Sequence, residues 1–107
     1  MRQAPGAKRE AALHLAEIPY DTGELRFRYT RMLSDDGTRW IRHGLFCEYH
    51  RNGTVISEGH YEHGRENGLW RDFHETGAPA AEGHYRDGVE TDDWRYWDAA
   101  GKQVARA

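Results

Sequence analysis

Gly44-Leu45-Phe46-Cys47-Glu48-Tyr49-His50-Arg51-Asn52-Gly53, followed by Val55-Ile56-Ser57-Glu58-Gly59-His60-Tyr61-Glu62-His63-Gly64, is the stretch whose reading decides the fold. Shifted by 24 residues, the pattern returns as Gly68-Leu69-Trp70-Arg71-Asp72-Phe73-His74-Glu75-Thr76-Gly77, then Ala81-Glu82-Gly83-His84-Tyr85-Arg86-Asp87-Gly88. A third copy opens with Asp92-Asp93-Trp94-Arg95-Tyr96-Trp97 and reaches Gly101. Like residues fall at Phe46/Trp70/Trp94, Tyr49/Phe73/Trp97, Gly53/Gly77/Gly101, Glu58/Glu82, Gly59/Gly83, His60/His84 and Tyr61/Tyr85. Coincidence at a single offset over so many positions marks an internal repeat.

Each unit reads as a β-hairpin. Its first strand carries two aromatics and ends at Asn52-Gly53, a dipeptide that suggests a type I′ turn. The second strand runs from Val55 to Tyr61, and the glycine turns at His63-Gly64 and Asp87-Gly88 send the chain into the next unit. Turns at this rhythm predict an antiparallel meander. One hairpin alone is marginal in water, so neighbouring units must share a core. Phe46 and Tyr49 are three residues apart, which either places them on opposite faces or requires a bulge between them. Pro79 lacks a ladder donor and is expected at an edge or at the start of its strand.

Upstream the pattern degrades into a divergent hairpin over 20–43. Tyr20-Asp21-Thr22-Gly23-Glu24-Leu25 resembles Tyr49 to Val55 with one residue missing, and Leu25 to Leu33 alternates like a strand. Asp35-Asp36-Gly37 reads as the elongated tip, and Arg39 to Ile41 as the returning strand. Residues 6–17 suit a short helix, while Leu13, Leu15 and Ile18 equally suit an edge strand. The expected organisation is a cap or tail over 1–19 and a repeat domain over 20–107. Within that domain, full repeats span 44–67 and 68–91, and a partial one spans 92–107.

Composition agrees with this reading. The 107 residues include 12 glycines and 13 aromatics (4 Trp, 6 Tyr, 3 Phe), which suits turn-rich β structure. No apolar run is long enough for a transmembrane helix, and the first residues lack the apolar segment of a secretory leader. A single cysteine, Cys47, forms no intrachain disulfide, and a cytoplasmic location is the expectation. Residues 1–43 carry 8 Lys/Arg against 6 Asp/Glu, whereas 44–107 carry 7 against 12. An acidic repeat region disfavours phosphate backbones and anionic lipid, and it favours a basic protein partner.

The unit Gly-x-Trp/Phe-x-x-Tyr/Phe-x-x-x-Gly…Glu-Gly-x-Tyr-x-x-Gly is similar to the MORN repeat, and it resembles the bacterial variant found in small antitoxin-like proteins. The resemblance covers 44–101 well and 20–43 loosely. It implies an all-β fold, an elongated, twisted, single-layer sheet of tandem hairpins, and a role in protein contacts, lipid contacts or scaffolding. Two departures are Asp92-Asp93 in place of Gly-Leu and Pro79 inside the second hairpin.

Seven histidines invite a metal site. His60/His84 and His50/His74 are repeat equivalents, however, and equivalent strands of successive hairpins lie about 9.5 Å apart. Zinc–nitrogen bonds of about 2.0–2.1 Å do not span that gap. Repetition likewise accounts for Glu58 and Glu82, and Arg71 replaces Cys47 in the next unit, so no acid–base pair or nucleophile is read here. The glycines belong to turns rather than to a phosphate-cradling loop. No enzyme activity, cofactor or metal is expected. The strand arginines Arg26 and Arg28 would share a face by alternation, but with Arg31, Arg39 and Arg42 they form no nucleic-acid motif, and nucleic-acid binding is not expected.

The residues expected to bind are the aromatic columns Phe46, Trp70, Trp94 and Tyr49, Phe73, Trp97, with Glu58 and Glu82 at their rim. Aromatic and charged residues together have the composition of protein-binding hot spots. The leading expectation is a non-enzymatic module of antitoxin or immunity type that masks a basic toxin or enzyme. The alternatives are a membrane-associated or scaffolding repeat protein and an oligomer assembled through sheet edges.

Overall fold

A computed structural model describes residues 12–106, which form one open antiparallel sheet. Its strands are β1 (His14–Pro19), β2 (Leu25–Leu33), β3 (Trp40–Tyr49), β4 (Val55–Glu62), β5 (Arg65–Phe73), β6 (Pro79–Arg86), β7 (Val89–Glu90), β8 (Arg95–Trp97) and β9 (Gln103–Val104). The spatial order is β1-β2-β3-β4-β5-β6-β8-β9, with β7 also paired to β6. This is the all-β meander of tandem hairpins that the repeat implies. The sheet measures 57 × 37 × 23 Å with a radius of gyration of 17.0 Å. A globular domain of this length would have about 13 Å.

Of the two readings of 6–17, the strand holds where residues are described, because His14–Pro19 pairs with β2 and caps the first hairpin. Residues 6–11 of the helix reading lie outside the described residues. Pro79 opens β6, where its missing N–H interrupts no ladder. Among the described residues no helix is long and apolar enough to cross a membrane.

The two kinds of turn are the reverse of the simplest reading. At Asn52-Gly53 the Gly53 N–H donates to His50 C=O at 2.9 Å, and His50 N–H donates to Thr54 C=O at 2.7 Å. Gly53 has φ +90°, but Asn52 does not have a positive φ. The loop is therefore a type I turn closed by a left-handed glycine, not type I′. Asn52 contributes through its side-chain oxygen, which accepts from the Thr54 amide at 3.0 Å. The same backbone bonds recur at Tyr20–Glu24, His74–Ala78 and Asp98–Lys102. Tyr20 thus holds the His50 position, and nothing is missing from the upstream copy. The type I′ turns are His63-Gly64 (φ 49° and 86°) and Asp87-Gly88 (φ 50° and 82°). Their glycine amides donate to Arg42 C=O and Glu66 C=O, both at 2.9 Å, which docks each turn on the preceding hairpin.

The Gly-Leu step is a bulge. Between the pairs Tyr29↔Phe46 and Arg31↔Arg42, β2 advances two residues while β3 advances four. β4 and β5 do the same between Glu58↔Arg71 and His60↔Asn67. Gly44 and Gly68, with φ of +97° and +80°, supply the left-handed backbone that absorbs the extra residues. The third unit has Asp92-Asp93 there, and the strand corresponding to β5 breaks into β7 and β8. Asp93 satisfies the gap, accepting from the His84 amide at 3.1 Å and the His84 ring at 2.6 Å.

Candidate interaction surface

A one-layer sheet has no second layer to bury its apolar side chains, so this one packs its rings against one another along a single face. Ala16, Tyr29, Phe46 and Trp70 are buried there, with Phe27, Tyr61, Tyr85 and Trp94 against them. Ring centroids step along the sheet from Tyr29 to Phe46 (6.1 Å), Tyr61 (5.3 Å), Trp70 (5.4 Å), Tyr85 (5.8 Å) and Trp94 (5.2 Å). The tyrosine–tryptophan contacts are edge-to-face, the arrangement that the ring quadrupole favours. Trp70 and Trp94 each lie on a glycine: a Cβ on Gly59 would overlap the Trp70 indole, and one on Gly83 would overlap that of Trp94. The indole N–H groups then donate to His60 C=O at 3.1 Å and His84 C=O at 2.9 Å. The Glu-Gly-His-Tyr motif is thus a seat for the next unit's tryptophan. Burial, aided by the Glu90, Glu66 and Asp72 carboxylates, pushes the Tyr85 hydroxyl up to about 12.

The opposite face carries a row of charges set by the register. Glu17, Arg28, Cys47, Glu58, Arg71, Glu82 and Arg95 stand side by side across the strands. Signs alternate along this row, and only Cys47 interrupts it. Glu82 takes Arg71 at 2.8 Å and Arg95 at 2.9 Å, and the Arg71 hydrogen bond holds its carboxyl below the usual range. Arg28 pairs with Glu17 at 3.7 Å. Burial raises the Cys47 thiol above its ordinary value, the reverse of what a nucleophilic thiolate needs. Beside the row, alternation sets Leu45 and Leu69 on the face away from Phe46 and Trp70, 61% and 39% exposed, next to Leu15 at 53%. These leucines line an open groove of about 490 Å3 with Cys47, Tyr49 and the stems of Arg28 and Arg71.

Several histidine rings have structural work. His50 Nε2 donates to Phe73 C=O at 3.4 Å, and His74 Nε2 to Trp97 C=O at 2.9 Å, while Tyr20 O–H donates to Tyr49 C=O at 2.6 Å. One strap thus recurs three times, each tying a turn to the next hairpin. His43 Nδ1 accepts the His63 amide at 3.0 Å.

The expected binding residues divide between the faces. Phe46, Trp70 and Trp94 belong to the ring ladder, the first two buried and Trp94 partly exposed. Tyr49, Phe73 and Trp97 are half-buried and, by strand alternation, lie on the other face with Glu58 and Glu82. Bulges do occur nearby, at Ile56 and Ala80, but in the partner strands, so they leave Phe46 and Tyr49 on opposite faces. Arg26 and Arg28 do not share a face. A bulge skips Arg26 in the pairing with β1, and it reaches Glu48 on the ring side at 3.5 Å while Arg28 reaches Glu17. The sequence reading passed over the exposed Leu15, Leu45 and Leu69. For Leu45 and Leu69 the available signal was alternation, which sets each on the face away from the aromatic that follows it.

A sheet built only of hairpins, with rings on one face and a leucine groove on the other, has the organisation of a binding repeat. Residues 42–63 and 66–87 each match the family model described as a MORN repeat variant, which supports a MORN-repeat protein. Comparison with curated proteins and with solved structures gave no match.

Proposed function

We propose that this chain is a non-enzymatic protein-binding module, of antitoxin or immunity type, that masks a partner protein. The carrying observation is the leucine groove. Each full repeat holds a leucine out in water directly after its left-handed bulge glycine, and burying each leucine side chain would contribute about 1.5–3 kcal/mol to a complex. Arg28, Glu58 and Arg71 rim an apolar floor, which is the anatomy of an interface centre. Tyr49, Phe73 and Trp97, with Glu58 and Glu82, extend that surface, and Phe46, Trp70 and Trp94 stiffen it from behind. The acidic balance of 44–107 supports a basic partner, for which it would speed encounter.

The test is affinity capture from the source organism with the wild-type chain and with Leu45→Asp/Leu69→Asp. Both side chains are exposed, so the variant keeps its fold. The reading expects a partner that the wild type retains and inhibits and the variant loses. Equal recovery by both proteins, or a retained partner whose activity is unchanged on binding, would sink it.

A further inference from the structure

Residues 42, 66 and 90 occupy one position of the 24-residue repeat, and all three flank the ring ladder. In the first unit the residue is Arg42. Its guanidinium lies 5.1 Å from the Tyr29 ring centroid, 5.4 Å from Phe46 and 5.5 Å from Tyr61. In the third unit it is Glu90, which pairs with Arg106 at 2.6 Å while the Arg106 guanidinium sits 5.5 Å from the Tyr96 ring. An arginine of the chain itself therefore covers the ladder at both ends.

The middle unit differs. Its residue is Glu66, half-buried, opposite Tyr61 in the register and acting electrostatically on both Tyr61 and Tyr85. Among the described residues Glu66 has no ion pair. Arg65 adjoins Glu66 and Arg86 adjoins Tyr85 in sequence, but alternation sends both to the other face. Arg42 stays on its own three rings. Beyond Tyr61, whose ring Arg42 approaches at 5.5 Å, the centre of the ladder thus has the rings and the carboxylate that arginines meet at its ends, and among the described residues no arginine lies over Trp70 or Tyr85.

We propose that Tyr61, Trp70, Tyr85 and Glu66 form a binding site for an arginine side chain of a partner protein. Trp70 is the floor, Tyr61 and Tyr85 give half-exposed ring surface, and Glu66 supplies the countercharge. A planar guanidinium stacks on rings and meets a carboxylate through two N–H groups at once, which an ammonium does not. This site lies on the face opposite the leucine groove and does not rest on the groove's role.

The full chain, 15N-labelled, would be titrated with N-acetyl-arginine amide and, in parallel, with N-acetyl-lysine amide. The reporters are the Trp70 indole N–H and the amides of Glu66 and Tyr85. The expected result is a saturable shift at these groups, at least about fivefold tighter for arginine than for lysine, and weakened at least about fivefold by Glu66→Gln. Glu66→Arg repeats the arrangement of Arg42 and should give a folded protein that no longer responds to arginine. Shifts that fail to saturate, that centre on Asp35 and Asp36 instead, or that persist unchanged in Glu66→Gln would overturn the proposal. Loss of partner capture by the groove variant leaves it untouched.

Discussion

The Trp70 indole lies directly over Gly59, one hairpin back, and its N–H is held by the carbonyl of the next residue, His60, at 3.1 Å. Trp94 repeats the relation with Gly83 and His84. A methyl group at either glycine must displace an indole that has no second layer to move into. Gly59→Ala is therefore expected to destabilise the protein by about 2–3 kcal/mol, the upper part of the overpacking range. Gly83→Ala should cost less, because Trp94 is only partly buried. Trp70→Ala, which empties the most buried position of the ladder at 5% exposure, should cost about 3–5 kcal/mol. Urea denaturation followed by tryptophan fluorescence would rank the three. A Gly59→Ala protein as stable as the wild type would contradict the seating of the indole.

The two turn types predict opposite responses to conservative changes. Asp87 sits at φ 50° in a type I′ turn, where asparagine is the favoured residue. Asp87→Asn should raise stability by a few tenths of a kcal/mol, roughly the spread among turn residues tolerant of that region. Gly53→Ala places a Cβ at φ +90° and should cost about 1 kcal/mol or more. Asn52→Gly, at a position without a positive φ, removes the side-chain bond to Thr54 and should destabilise rather than relieve the turn. Thermal melts of the three variants would separate this geometry from a type I′ turn at Asn52-Gly53, for which Asn52→Gly would be nearly neutral.

Repeat length, strand positions and turn sites were legible because each rests on local chemistry: glycine for left-handed backbone, aromatics for strands, and recurrence at one offset. Which face a residue takes was not, because a single bulge reverses the alternation. The skipped Arg26 therefore ends on the ring side, away from Arg28. Leucines in a repeat likewise read as core, yet alternation sets Leu45 and Leu69 on the face away from Phe46 and Trp70, where a single-layer sheet leaves them in solvent. The expected binding residues rest on residue type and not on face, since Phe46 and Tyr49 share a strand and point apart. The role of His50 and His74 depended on the carbonyls of Phe73 and Trp97, 23 residues away, which no local pattern reveals.

Asp92-Asp93 shows what the bulge glycine does by standing where it is missing. Restoring Gly-Leu there, as Asp92→Gly/Asp93→Leu, should let β7 and β8 join into one strand like β5. The variant would gain slowly exchanging amides between Thr91 and Arg95 and a fourth outward leucine beside Leu15, Leu45 and Leu69. It would also lose the carboxylate that satisfies the His84 amide. Hydrogen exchange read residue by residue decides the matter. Unchanged fast exchange over 91–95 would mean that the break has another cause.

The same aspartate sets an acid limit on the C-terminal unit. Hydrogen bonds from Thr91 and then from His84 hold the Asp93 carboxyl down at about 2, against an ordinary 3.8. A carboxylate with a lowered folded-state value stabilises the fold above its unfolded value and loses that contribution as pH falls through the folded one. The 91–94 loop should therefore hold at pH 5 and loosen between about pH 4 and pH 2. The His84 amide, which donates to Asp93, is the local reporter, and its exchange should accelerate over that interval relative to the intrinsic rate. Asp93→Asn removes the charge at every pH, so in that variant the acid step at His84 should vanish while the amides of β3 to β5 keep the wild-type profile. An acid step of equal size in the variant would place the responsible carboxylate elsewhere, with Asp36, also held at about 2 by Ser34 and Thr38, as the control to titrate.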